Sequence, residues 1–76
     1  MENKLISIFS DCLGIAPGDV NDELNVMNCD SWDSVMQLTL VSEMESAFDI
    51  MFEPDDIVEL TSFAAAKEIA ARLGAK

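Results

Sequence analysis

Seventy-six residues, half of them hydrophobic, make a single domain (1–76) at the small end of what folds alone, with a packed core in place of disorder. Fifteen acids against four bases, net −11 with no histidine, give a surface that repels nucleic-acid phosphates and anionic membrane and attracts proteins with basic patches. Such self-repulsion weakens the fold at low salt, so the acids serve something other than stability.

The first helix is expected over residues 2–13, where Leu5, Ile6, Ile8, Phe9, Cys12 and Leu13 follow core-facing spacing and Gly14 stops the run. From Gly14 to Asp33 the chain reads as a long irregular loop rich in Gly, Pro, Asn and Asp, with Leu24, Val26 and Met27 as pegs to the core. A second helix follows over roughly 34–48. Its wheel collects Leu38, Leu40, Val41, Met44, Ala47 and Phe48 on one broad arc, and Thr39, Ser42, Glu43 and Ser46 opposite. Val35 and Met36 fall near the polar side, beside Ser34. Pro54-Asp-Asp-Ile57 opens a short third helix, with acids at its positive end. The last helix spans about 62–73, capped by Thr61 or Ser62, with Phe63, Ala66, Ile69, Ala70 and Leu73 as its buried stripe. No strand signal and no internal repeat is present. The fold class is all-α: a small four-helix bundle, three main helices plus one short one, with a long first connection.

Equally informative is the missing chemistry. Without histidine, a Gly-rich phosphate loop or a Ser/His/Asp or Cys/His set, the chain reads as a non-enzyme on which other proteins act. Cys12 and Cys29 form no metal-ligand spacing and read as free thiols in a reducing compartment. Asp19-x-Asn21-x-Glu23 begins like a calcium loop, but Leu24 stands where the turn needs glycine and Asp30 where a bidentate Glu belongs. No metal site is expected. No signal peptide opens the chain and no apolar run spans a bilayer, which points to a cytoplasmic protein without membrane insertion.

Asp30-Ser31-Trp32-Asp33-Ser34-Val35 marks the passage from loop to second helix, where either Asp33 or Ser34 can cap. Trp32-Asp33-Ser34, then Leu38, Val41, Met44-Glu45 and Phe48-Asp49-Ile50, resembles the acyl/peptidyl carrier protein family, in its Trp-Asp-Ser variant known from free-standing carriers. That family carries Asp-Ser-Leu at this helix start, so Val35 departs from its leucine. The likeness continues through Pro54-Asp-Asp-Ile57 and Leu60-Thr61-Ser62-Phe63 and covers nearly the whole chain. Of the two Asp-Ser pairs, counting back from Phe48-Asp49-Ile50 by the family's spacing selects Ser34 over Ser31.

The resemblance implies an acyl carrier whose Ser34 hydroxyl receives 4′-phosphopantetheine from coenzyme A, through a phosphopantetheinyl transferase and magnesium. Asp33 would help place metal or a partner's basic residues. A phosphodiester anion suits a helix N-terminus, with its free N–H groups and positive dipole end. Val35, Met36, Val41, Ser42, Glu43 and Glu45 would form the docking surface for the transferase, an acyl-loading ligase or acyltransferase, and ketosynthase-type enzymes with basic patches. Met27, Leu40, Met44, Met51 and Phe52 would line an acyl-chain space or be ordinary core. Trp32 would wedge the loop against the helix or touch a partner. The protein is expected to be monomeric, serving fatty-acid-like, surface-lipid or polyketide synthesis. An aminoacyl (peptidyl or D-alanyl) carrier is the rival reading, although the peptidyl Gly-Gly-Asp/His-Ser signature is absent. An acidic non-enzymatic adaptor explains the charge but not the motif spacing.

Overall fold

A computed structural model describes residues 2–75 and contains helices α1 (Glu2–Leu13), α2 (Ser34–Phe48), α3 (Pro54–Glu59) and α4 (Phe63–Arg72). The expected all-α bundle is what forms, and no strand occurs among the described residues. Leu5, Phe9 and Leu13, one helical turn apart, make the buried stripe of α1. Gly14 ends the helix at φ 67°, a left-handed conformation that glycine adopts without a Cβ clash, and its N–H donates to the Ser10 carbonyl at 3.0 Å. The core centres on Phe9. Its ring meets Trp32 edge-on at 5.4 Å and 78°, and Phe63 edge-on at 5.2 Å and 83°.

The first connection is long but ordered. Pro17–Asp19 forms a 3₁₀ turn, and Val20, Leu24, Cys29 and Trp32 bury along its length. Asparagine side chains brace the polar stretch: Asn25 Oδ1 accepts the Met27 N–H at 2.8 Å, and Asn28 Oδ1 accepts the Asn25 N–H at 3.0 Å. An antiparallel bridge pairs Asn25 with Ser62, where Val26 N–H donates to Thr61 O and Phe63 N–H to Leu24 O, each at 3.0 Å. Loop backbone is thereby tied to the start of α4. Met27, expected as a peg, is instead 89% exposed, because the chain turns there on Asn25.

On α2 the buried face is Leu40, Val41, Met44 and Phe48. Leu38, grouped with them on the wheel, is 62% exposed. Apolar residues surround much of this helix, so contact with the rest of the bundle, and not amphipathicity, selects its inner side. The helix ends at Asp49 in the left-handed region (φ 54°), a residue type that tolerates it.

Polar contacts, more than apolar burial, fasten α3. Its one buried residue is Asp56, which accepts hydrogen bonds from the Glu53 N–H at 3.0 Å and from the Arg72 guanidinium in the last turn of α4. Arg72 also reaches Glu59 at 3.2 Å. In α4, Ser62 is the cap, accepting the Ala65 N–H at 2.9 Å, and Leu73 at the end of the expected stripe is only half-buried. Lys67 pairs with Asp22 at 2.6 Å and Lys4 lies over the Phe48 ring at 5.7 Å, so each described base is committed to a neighbouring segment. Cys12 and Cys29 are free thiols, and partial burial, with Glu43 and Asp11 adding negative charge, pushes the Cys12 thiol up. No helix among the described residues is long and apolar enough to cross a membrane.

Two outcomes follow. Phe9→Ala empties the centre of the core and removes about 3–5 kcal/mol, most of the stability of so small a domain, read from urea denaturation. Raising sodium chloride from about 20 mM to about 0.5 M screens the excess acids and raises the melting temperature by about 5 °C.

Candidate functional site

The start of α2 is assembled by three side chains with separate tasks. Asp33, in extended conformation, caps the helix: its Oδ1 accepts the Met36 N–H at 2.8 Å, and its carbonyl accepts the Gln37 N–H at 2.8 Å. Ser34, the first helical residue, is exposed, and its Oγ makes no hydrogen bond among the described residues. Trp32, 5% exposed, is the wedge: its ring packs on Phe9 and its indole N–H donates to Gln37 Oε1 at 2.6 Å. Of the two readings of Trp32, packing is the one seen.

The other Asp-Ser pair sits differently. Ser31 Oγ donates to the Leu13 carbonyl at 2.9 Å, satisfying one of the open acceptors at the end of α1, and lies 3.4 Å from Cys29 Sγ. Its hydroxyl is committed to structure, whereas that of Ser34 is available.

An anion bonded to Ser34 would meet a receptive environment. With Met36 N–H taken by Asp33, the N–H groups of Ser34 and Val35 have no partner among the described residues, and they lie at the positive end of a 15-residue helix. The residues present therefore fit a phosphodiester at this hydroxyl.

Residues 3–72 match the phosphopantetheine attachment site family. The chain belongs to that family. It is a carrier domain, whose prosthetic group is 4′-phosphopantetheine, and such domains are modified by transferases and served by acyl-processing enzymes instead of catalysing. Over 61 residues it is 33% identical to clavatol synthase claF of Penicillium crustosum, an alignment covering 80% of this chain and 2% of that protein. The chain thus spans a small fraction of that relative's length.

The remaining expected site residues divide by burial. Val35 is 74% exposed and Ser42 and Glu43 are exposed, so these lie on the outer side of the carrier domain, whereas Met36 is half-buried and packs against the core. Val41 does not join them: at 6% exposure it belongs to the core, because it shares the helix face of Leu40 and Met44. Glu45 is half-buried and its Oε2 accepts the Phe52 N–H at 2.8 Å, holding the turn after α2. Among the expected acyl-chain residues, Leu40, Met44 and Phe52 are closed core. Met27 and Met51, at 89% and 75% exposure, stand in solvent because both lie on connecting turns outside the helices. A surface cleft of about 490 Å³ lies elsewhere, bordered by Val20, Asp22, Phe63 and Lys67.

Gln37 was not singled out by residue chemistry, yet it is the busiest side chain near Ser34. Beyond its bond from Trp32, its Nε2 donates to the carbonyls of Ile57 at 2.8 Å and Leu60 at 2.7 Å. The available signal was register: Gln37 precedes Leu40, Val41, Met44 and Phe48 at core spacing, a polar side chain on an otherwise apolar stripe.

The cap assignment has a direct check. Asp33→Ala lowers unfolding stability by about 1 kcal/mol in urea titration, whereas Asp33→Asn, which caps as well, leaves it close to wild type.

Proposed function

We propose that this domain carries acyl groups as thioesters on a 4′-phosphopantetheine arm attached to Ser34. The observation that carries the assignment is the contrast between two hydroxyls: Ser31 is bonded to Leu13 O, while Ser34 is exposed and unbonded at the helix start. Bound there, the arm supplies the terminal thiol. The chain supplies the Ser34 hydroxyl, N–H groups to receive the phosphate charge, and Asp33 at its side for the metal or basic residues of the transferase.

Partner enzymes approach the outer face of α2, where Val35 and Leu38 expose apolar surface next to Ser42 and Glu43. Long-range attraction between the net charge of −11 and basic patches speeds encounter, and a small contact leaves the complex weak enough to part. This suits an arm that passes between loading and processing enzymes. We assign the cargo to acyl groups of a fatty-acid-like, surface-lipid or polyketide route, on the strength of the Trp-Asp-Ser form; the relative named as clavatol synthase agrees with a biosynthetic setting.

The test is incubation of the apo protein with coenzyme A, magnesium and a promiscuous phosphopantetheinyl transferase, followed by intact mass measurement. Wild type gains the mass of one phosphopantetheine, Ser31→Ala gains the same, and Ser34→Ala gains none. A gain that survives Ser34→Ala would place the arm elsewhere.

A further inference from the structure

Gln37, half-buried at a core-facing register on α2, spends both its amide protons and its carbonyl oxygen on two other segments. The indole N–H of Trp32 can only donate, and the carbonyls of Ile57 and Leu60 can only accept. The amide is therefore oriented without ambiguity: Oε1 to Trp32 at 2.6 Å, Nε2 to Ile57 O at 2.8 Å and Leu60 O at 2.7 Å. Its backbone N–H closes the first turn of α2 onto Asp33 O at 2.8 Å. Residues 32 and 37 are thus tied on either side of Asp33-Ser34-Val35-Met36. The same amide holds the C-terminal carbonyls of α3, a helix with no fully buried apolar side chain of its own.

We propose that Gln37 is a positioning residue for modification of Ser34, locking the Trp32–Ser34 segment and α3 into one rigid surface that the transferase reads. The inference rests on the assignment of the arm to Ser34. Gln37 touches neither the hydroxyl nor the incoming phosphate; it acts by fixing Trp32, and through Trp32 the backbone of the capping Asp33. It also sets how far α3, with Val58 at 76% exposure, lies from the start of α2. With the amide gone, Trp32 keeps its edge contact with Phe9 but loses its tie across the helix start, and α3 loses its hold on α2.

Four variants test this: Gln37→Met, which keeps the volume without the amide; Gln37→Glu, which keeps an acceptor for the indole but cannot donate to α3; Trp32→Phe, which keeps a ring on Phe9; and the double variant W32F/Q37M. Each is assayed for transferase kcat and KM with coenzyme A, at a temperature where circular dichroism shows wild-type helicity. The expected result is a loss of about tenfold in kcat/KM for each single variant, chiefly through KM, with no further loss in the double. The protein's one tryptophan gives a single indole ¹H–¹⁵N resonance, which shifts upfield in Gln37→Met and stays in Gln37→Glu. Folded variants with wild-type kcat and KM, or losses that multiply in the double, overturn the proposal. Trp32→Phe decides the matter if the Gln37 variants unfold. A wild type that accepts no phosphopantetheine overturns the Ser34 assignment and this inference together; a modified wild type with unaffected variants overturns this inference alone.

Discussion

Three segments distant in sequence meet on one ring. Phe9 of α1 meets Trp32 from the end of the long connection and Phe63, the first residue of α4, each in T-shaped geometry. Each contact adds directional attraction to simple burial, because aromatic pairs favour edge-to-face geometry. The arrangement matters most for the connection, whose backbone has few regular hydrogen bonds to hold it. Anchored at Trp32, and bridged to Ser62 through Asn25, it reaches the start of α2 in one defined position.

The serine depends on that position. A serine at a helix start ordinarily tends to cap, which would engage its oxygen and turn it toward the backbone. Here the residue before it does the capping, and the serine one turn earlier closes α1 through Leu13 O. Two polar side chains take up local backbone demands, and the Ser34 hydroxyl is left outward beside two N–H groups that have no partner among the described residues. An exposed, unengaged hydroxyl is obtained without strain or burial, from the order of Asp and Ser alone.

How much of this could be read in the sequence follows from what kind of signal each feature leaves. Helix positions were legible to within a residue or two, because Gly14, Pro54 and Ser62 mark ends and α1 and α4 have clear stripes. On α2 the wheel found the buried Leu40, Val41, Met44 and Phe48 but not the limit of that face, since apolar residues lie on most of its sides and only packing partners separate Leu38 from Val41. The exposure of Met27 and Met51 was likewise hidden: Met27, an apolar residue in a loop, reads as a peg, and the turn that carries it outward is made by the neighbouring Asn25, while Met51 lies on the turn after α2. Glu45 looked like a surface acid because its partner, the Phe52 N–H, exists only once the chain has reversed. Gln37 was visible as a break in a stripe, but its three partners come from residues 32, 57 and 60, which only the fold brings together.

The two ways of holding helices here have different consequences. Helices α1, α2 and α4 share an apolar core, which is insensitive to salt and tolerates little displacement before contacts are lost. Helix α3 is held by the Gln37 amide on one side and by Arg72 with Asp56 and Glu59 on the other. Such bonds are strict about direction yet contribute little net stability, because water replaces them when they open. Helix α3 is therefore set accurately while closed and is the element with least to lose on opening. Since one of its two ties also fixes Trp32, the state of α3 and the setting of the Ser34 segment are coupled through a single side chain.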